Sequence, residues 1–240
     1  MALQREKTDS VLGWEVHDHL RSIGIETPMT PNTTDMMDKQ KLSLIEDHFE
    51  KIMETLGLDL MDDSMQDTPR RMAKMYVNEL FWGLDHKNFP KCTAIKNKMS
   101  GVNTGHSFVL EKGITVNSVC EHHFVPIYGR ATVAYVPGGK VLGLSKLNRI
   151  VEYFSRRPQV QERLTEQIRA ALSYVVETPD VAVYMDAEHF CVKTRGVQDE
   201  NSSTVTLSVG GIFAEDSSDT RREFLNLARM PTQCHLIILQ

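Results

Sequence analysis

Near residue 106 the hydrophobic period of this chain changes, and that change does most to limit its fold. In the first third, apolar residues recur at helical spacing: Val11, Leu12, Val16, Leu20 and Ile23, then Leu42, Ile45, Phe49, Ile52, Met53 and Leu56. The stretch GIETPMTPNTTD between them, with two prolines and several small polar residues, reads as a linker. A third helix is predicted from Thr68-Pro69, with a hydroxyl cap and a proline in the first turn. Met72, Met75, Tyr76 and Leu80 share its face and Gly83 ends it. Beyond residue 106 the period becomes two. Val109, Ile114, Val116, Ala131, Val133 and Tyr135 alternate with polar neighbours, and Lys112-Gly113 and Tyr128-Gly129 interrupt the runs, which predicts an antiparallel meander.

Helical spacing returns in SKLNRIVEYFSRRPQVQERLTEQIRAALSYVV, broken near Arg157-Pro158, with Val160, Leu164, Ile168, Ala171, Leu172 and Val175 as the buried stripe of its second half. Strand patterns resume at VAVYMDAEHFCVKT and STVTLSVGGIFAE, and DTRREFLNLAR closes with a helix. Strands and helices do not alternate regularly, so the predicted class is α+β rather than a parallel sheet.

Bulk properties exclude several function classes. No apolar run approaches the length that spans a bilayer. The opening MALQREKTDSVLGWEV lacks a long apolar stretch followed by a small-residue cleavage site, so a cytoplasmic location is expected. A net charge of −5 argues against a broad nucleic-acid-binding face but leaves room for a local basic pocket. Cys92, Cys120, Cys191 and Cys234 are too few and too scattered for a disulfide framework. In a reducing compartment they read as core thiols, ligands or nucleophiles.

Two of those cysteines sit in suggestive company. Cys120-Glu121-His122-His123 is a Cys-x-x-His pair with a second histidine inside it, and His189-x-Cys191 lies in a strand pattern. Alternation places His189, Cys191 and Lys193 on one strand face and Phe190 and Val192 on the other. Cys120 and His123 differ by an odd number, so a straight strand would send them to opposite faces. Joint ligation therefore requires the backbone to turn at Glu121-His122. Spacing alone leaves buried thiols with core histidines, a Cys120–Cys191 disulfide and a metal site all open. If a metal binds, ligand softness argues for zinc. Cys120, His123 and Cys191 would then leave one tetrahedral position open, as catalytic zinc sites do, with His122 and His189 as bases nearby.

The segments CEHHFVPIYGRATVAYVP, GLSKLNRIVEYFSRRPQVQERLTEQI, DAEHFCVKTRG and DTPRRMAKMYVNELFWGLD resemble the signature segments of the GTP cyclohydrolase I family, in that family's order, over roughly residues 38 to 229. The resemblance implies a T-fold, an antiparallel sheet backed by two helices, with an N-terminal helical arm. The expected division is an arm over residues 1–95, a catalytic domain over 96–230 and a tail over 231–240, in which Cys234 and His235 receive no role. It also implies conversion of GTP to 7,8-dihydroneopterin triphosphate and formate, with one zinc per subunit on Cys120, His123 and Cys191. The family assembles as a homodecamer with sites where chains meet.

By the same resemblance His122 and His189 carry acid–base roles, suited to an imidazole whose ordinary pKa is near 6.5. Glu162, with Gln161 beside it, would accept the N1–H and N2–H₂ edge of guanine. The triphosphate would meet Ser145, Lys146 and Arg149 at the start of a helix, Arg195 after the metal strand, and Arg71 from an adjacent subunit. Ser145 is further implicated in the proton traffic of the ribose rearrangement. The alternatives are another T-fold enzyme of pterin or deazaguanine chemistry, or a nucleotide-binding module that holds zinc without turnover.

Overall fold

The structure is a computed structural model that describes residues 3–30, 36–97 and 107–231. Of the expected tail, residues 232–240, with Cys234 and His235, therefore lie outside the described residues.

Helix α1 (Ser10–Ser22) starts where the Asp9 carboxylate accepts the Leu12 N–H at 3.1 Å. Gly13, Val16 and Leu20 form its buried face, whereas Val11 and Ile23, assigned to the same stripe, are exposed. Helix α2 (Asp38–Thr55) buries Met53 but leaves Leu44 and Ile52 in solvent, as is Leu56 just beyond its end. Helix α3 (Thr68–Lys74) begins as expected at Thr68-Pro69. Thr68 is its first residue rather than its cap, and Asp67 precedes it without a side-chain cap. The helix then widens into a π-helical turn over Met75–Leu80.

The meander forms one sheet. Strand β1 (Ala94–Lys96) pairs with β4 (Lys140–Leu142) in a small separate ribbon. The main sheet holds β2 (Val109–Cys120), β3 (Pro126–Tyr135), β5 (Pro158–Gln159), β6 (Val181–His189) and β7 (Thr204–Val209), in the order β5-β2-β3-β6-β7. All neighbours are antiparallel except the two-residue β5, which runs parallel to β2. A bulge between Glu111 and Ile114 in β2 coincides with Gly113 at φ +71°, a left-handed backbone that glycine accepts without steric cost.

Helices α4 (Leu144–Ser155) and α5 (Gln161–Val176) back this sheet. Their apolar stripes, Leu147, Ile150, Val151 and Phe154 with Leu164, Ile168 and Leu172, meet the inward residues Val116, Val133, Val183 and Met185 in one core. Leu164 and Ile168 are fully buried, and truncating either to alanine would cost about 2–5 kcal/mol. A four-residue α6 (Phe190–Lys193) follows β6, and α7 (Asp219–Arg229) closes the described chain. Among the described residues no helix is long and apolar enough to cross a membrane.

Candidate active site

Strand β2 delivers Cys120 at its last position, and the chain then turns as joint ligation requires. The Cys120 N–H donates to Val125 O at 2.8 Å, and the Phe124 N–H donates to Cys120 O at 2.9 Å. Phe124 takes φ +53°, in the left-handed region. This tight turn cancels the odd spacing. His122 Nδ1 lies 3.8 Å and His123 Nδ1 4.0 Å from Cys120 Sγ.

Cys191 follows β6, two strands along the sheet from β2, but does not itself lie on a strand. Strand β6 ends at His189, and residues 190–193 form a helical turn closed by the Thr194 N–H to Phe190 O bond at 3.0 Å. The ladder to β3 stops at Ile127↔His189, where β3 has only Pro126 left and that residue has no N–H to donate, and the backbone coils instead. The coil still brings Cys191 to the cluster. One ligand atom from each of Cys120, His123 and Cys191 lies within 4.8 Å of the others.

That donor set fits a tetrahedral dication. Zinc–sulfur bonds of about 2.3 Å and zinc–nitrogen bonds of about 2.1 Å place neighbouring donors roughly 3.6–3.8 Å apart, close to the 4.0 Å between Cys120 Sγ and His123 Nδ1. Burial, then the adjacent Cys120 thiol, push the Cys191 thiol above its ordinary pKa. A cation between the two sulfurs would reverse that, favouring both thiolates.

The remaining groups come from α5 and the end of β6. His189 Nε2 lies 2.7 Å from Gln161 Oε1. Gln161 is buried, and its Nε2 donates to Thr204 O at 2.8 Å and Thr206 Oγ1 at 3.0 Å. Those acceptors fix the amide's orientation, so Oε1 faces the imidazole and His189 carries its proton on Nε2. Burial lowers the His189 pKa, against the opposing pull of the Glu162 carboxylate. Glu162 itself is exposed in the first turn of α5, where a negative charge complements the helix dipole. Arg195, just past α6, has its Nη1 2.9 Å from His123 Nε2.

A model of the GTP cyclohydrolase I family matches residues 45–229, which is more than half of the chain. The chain belongs to the GTP cyclohydrolase I family. Proteins named GTP cyclohydrolase 1 from Salmonella arizonae, Salmonella paratyphi B and Salmonella newport are each 52% identical to it over 214 residues, covering 89% of this chain and 94% of the relative.

Not every residue expected at a GTP cyclohydrolase I site gathers at the Cys-His-Cys cluster of this chain. Ser145 and Lys146 open α4, and Arg149 follows one turn later. Asn148 in the same turn donates to Glu111 Oε1 at 3.3 Å, near the start of β2, whereas Cys120 ends that strand. Nine residues of extended backbone separate the two points by roughly 30 Å. Arg71 is exposed on α3, with its nearest carboxylate, Asp67, at 3.7 Å.

Sequence reasoning missed the pairing of Glu121 with Arg163, an ion pair that ties the Cys120–His123 turn to α5. They stand 42 positions apart, each next to a residue already singled out, and no spacing rule connects them. Opposite charges flanking two halves of one site were the only signal available.

Proposed function

We propose that this chain opens the imidazole ring of GTP at C8, releases formate and yields 7,8-dihydroneopterin triphosphate, using zinc held by Cys120, His123 and Cys191. Family membership supports the activity. The observation that carries the assignment of residues is the meeting of this Cys-His-Cys cluster with a tautomer-fixed His189 beside Glu162.

Bound zinc supplies Lewis acidity, which makes water a competent nucleophile near neutral pH. The protein's own residues bind and move protons. Glu162 offers two acceptor oxygens to the N1–H and N2–H₂ edge of guanine, and adenine would present an acceptor at N1 instead. With Nε2–H engaged by Gln161, His189 uses Nδ1 to exchange protons with the opening ring. Thus Gln161, expected to touch substrate beside Glu162, also sets the tautomer of the acid–base residue. His122 is the second exchanger, on the same turn as the metal ligands.

Arg195 is the phosphate-facing cation contributed by the metal-bearing subunit. Ser145, Lys146 and Arg149 reach the triphosphate from a second copy, since in their own chain they sit near the far end of β2. Ser145 also takes part in the later ribose rearrangement, and Arg71 comes from a further copy. The site is therefore built by an oligomer, which we take to be a homodecamer. Exposed Leu44, Ile52 and Leu56 around α2 and Val205 and Leu207 on edge strand β7 support burial between copies.

Incubating the purified protein with GTP tests this reading. The expected result is formate release and, after oxidation, a fluorescent pterin, with about one zinc per chain. Cys191→Ala should lose both metal and turnover. A wild-type protein that holds zinc but leaves GTP intact would identify a binding module instead.

A further inference from the structure

The turn between Cys120 and His123 is held by side chains outside the ligand set. Arg163, in the first turn of α5, pairs its Nη2 with Glu121 Oε2, and both side chains are largely withdrawn from solvent, at 18% and 25% exposure. The other carboxylate oxygen, Glu121 Oε1, faces His122 Nε2 at 3.8 Å, too far for a hydrogen bond. The Glu121 N–H donates to Gln159 O at 3.0 Å, so the residue is fixed through both backbone and side chain.

Arg163 is itself oriented from behind. Its Nε donates to Gln159 Oε1 at 3.4 Å. Gln159 is fully buried and donates from Nε2 to Phe154 O and to Gln167 Oε1, both at 2.9 Å. Gln167, also fully buried, donates to Ile25 O at 2.7 Å and Thr27 Oγ1 at 3.2 Å. Each amide has its NH₂ committed to carbonyl or hydroxyl acceptors, so each Oε1 points one step nearer the metal turn. The chain of bonds has one polarity and ends on Arg163, whose charge is spent on Glu121.

We propose that Arg163 is a positioning residue for the metal centre: through Glu121 it fixes the backbone that sets Cys120 against His123. It also ties that turn to the helix carrying Gln161 and Glu162, so metal, acid–base residue and purine acceptor move as one body. Losing the guanidinium strands a partly buried carboxylate one residue from a ligand, and the turn relaxes to hydrate it. Support of this kind outside the ligands is typically worth ten- to a hundredfold in metal affinity. The inference rests on the metal reading of the Cys-His-Cys cluster.

The test is zinc competition against a chromogenic chelator, with cobalt(II) absorption as a second readout. It uses full-length wild type, Arg163→Met, Arg163→Lys, Glu121→Gln and the Arg163→Met/Glu121→Gln pair. Wild type should hold zinc and Cys191→Ala should not; failure there overturns the metal reading itself. Given that, Arg163→Met should weaken zinc affinity about ten- to a hundredfold and alter the cobalt ligand-field bands. The lysine variant should recover part of the loss, because it restores the charge without the fork. The double variant should be no worse than the poorer single one. Zinc affinity within twofold of wild type in Arg163→Met, or fully additive losses in the pair, would overturn the proposal. Should the methionine variant not fold, unchanged zinc affinity and cobalt bands in Arg163→Lys would overturn it equally.

Discussion

His189 Nε2 and Gln161 Oε1 lie 2.7 Å apart, joining the end of strand β6 to the first residue of helix α5. Because Gln161 Nε2 is committed to Thr204 O and Thr206 Oγ1, the amide cannot flip without breaking those two bonds. Gln161→Leu should therefore free the imidazole to rotate and to change tautomer. The expected outcome is a fall in kcat of about 10- to 100-fold, a fraction of what a positioned acid–base group contributes. Zinc content by elemental analysis should stay at the wild-type level, and a variant with normal kcat would remove the tautomer-setting role.

Glu162 is exposed in the first turn of α5, beside the imidazole whose titration it influences. Glu162→Gln replaces one acceptor with a donor against the guanine edge. GTP should then bind roughly 10- to 100-fold more weakly, the usual cost of an unmatched buried hydrogen bond. Steady-state kinetics alongside metal analysis checks this. Loss of zinc with GTP binding intact would mean that Glu162 serves the metal site instead.

The separation of the α4 start from Cys120 within one subunit makes complementation a sharp test. Lys146→Ala and Cys191→Ala should each be inactive alone. Co-expressed in equal amounts, they should regain activity, with about a quarter of sites receiving both intact halves if subunits mix at random around a closed ring. Mixed assemblies that stay inactive would place Lys146 and Cys191 in the same subunit's site.

Stability should fall in mild acid through a residue remote from the metal. His86 is buried against α1, its ring stacked on His17 at 3.9 Å and edge-on to Trp14 at 4.7 Å. Burial first, then the neighbouring His17 and Arg157, lower its pKa to about 3. The unfolded chain takes up a proton near pH 6.5 and the folded chain does not, so this contribution is complete above 6.5. It declines as the pH drops from there toward 3. Between pH 7.5 and 5.5 the loss amounts to about 1.4 kcal/mol. Denaturant titrations at the two pH values, at fixed protein and zinc concentration, should show that loss in wild type. His86→Leu should show a smaller one, with a residual from His17, whose pKa burial also lowers. Equal losses in both proteins would exclude His86 as the source.

Much of this architecture could be read from period alone. Alternation located β2, β3, β6 and β7, and the break at Arg157-Pro158 fell between α4 and α5, where β5 lies. Period could not see partners. Cys191 alternated like a strand residue, yet beyond the Ile127↔His189 pair β3 offers only Pro126, which has no N–H, and the strand ended there. Val11 and Ile23 kept helical spacing but met no core, because only the Gly13, Val16 and Leu20 side of α1 packs inward. The odd spacing of Cys120 and His123 did carry a structural demand, and the left-handed Phe124 meets it. Where α4 sits along β2 left no trace in the sequence, since a linear motif does not say which end of a strand its helix overlies.

Strand β5 is only two residues long, yet it docks beside Cys120 and leads within two positions to Gln161 and within four to Arg163. Insertions or deletions between Arg156 and Val160 would therefore shift several site side chains together, with no intervening loop to absorb the error. Of all the connections in this enzyme, that one should tolerate length change least, in natural descent as in loop grafting.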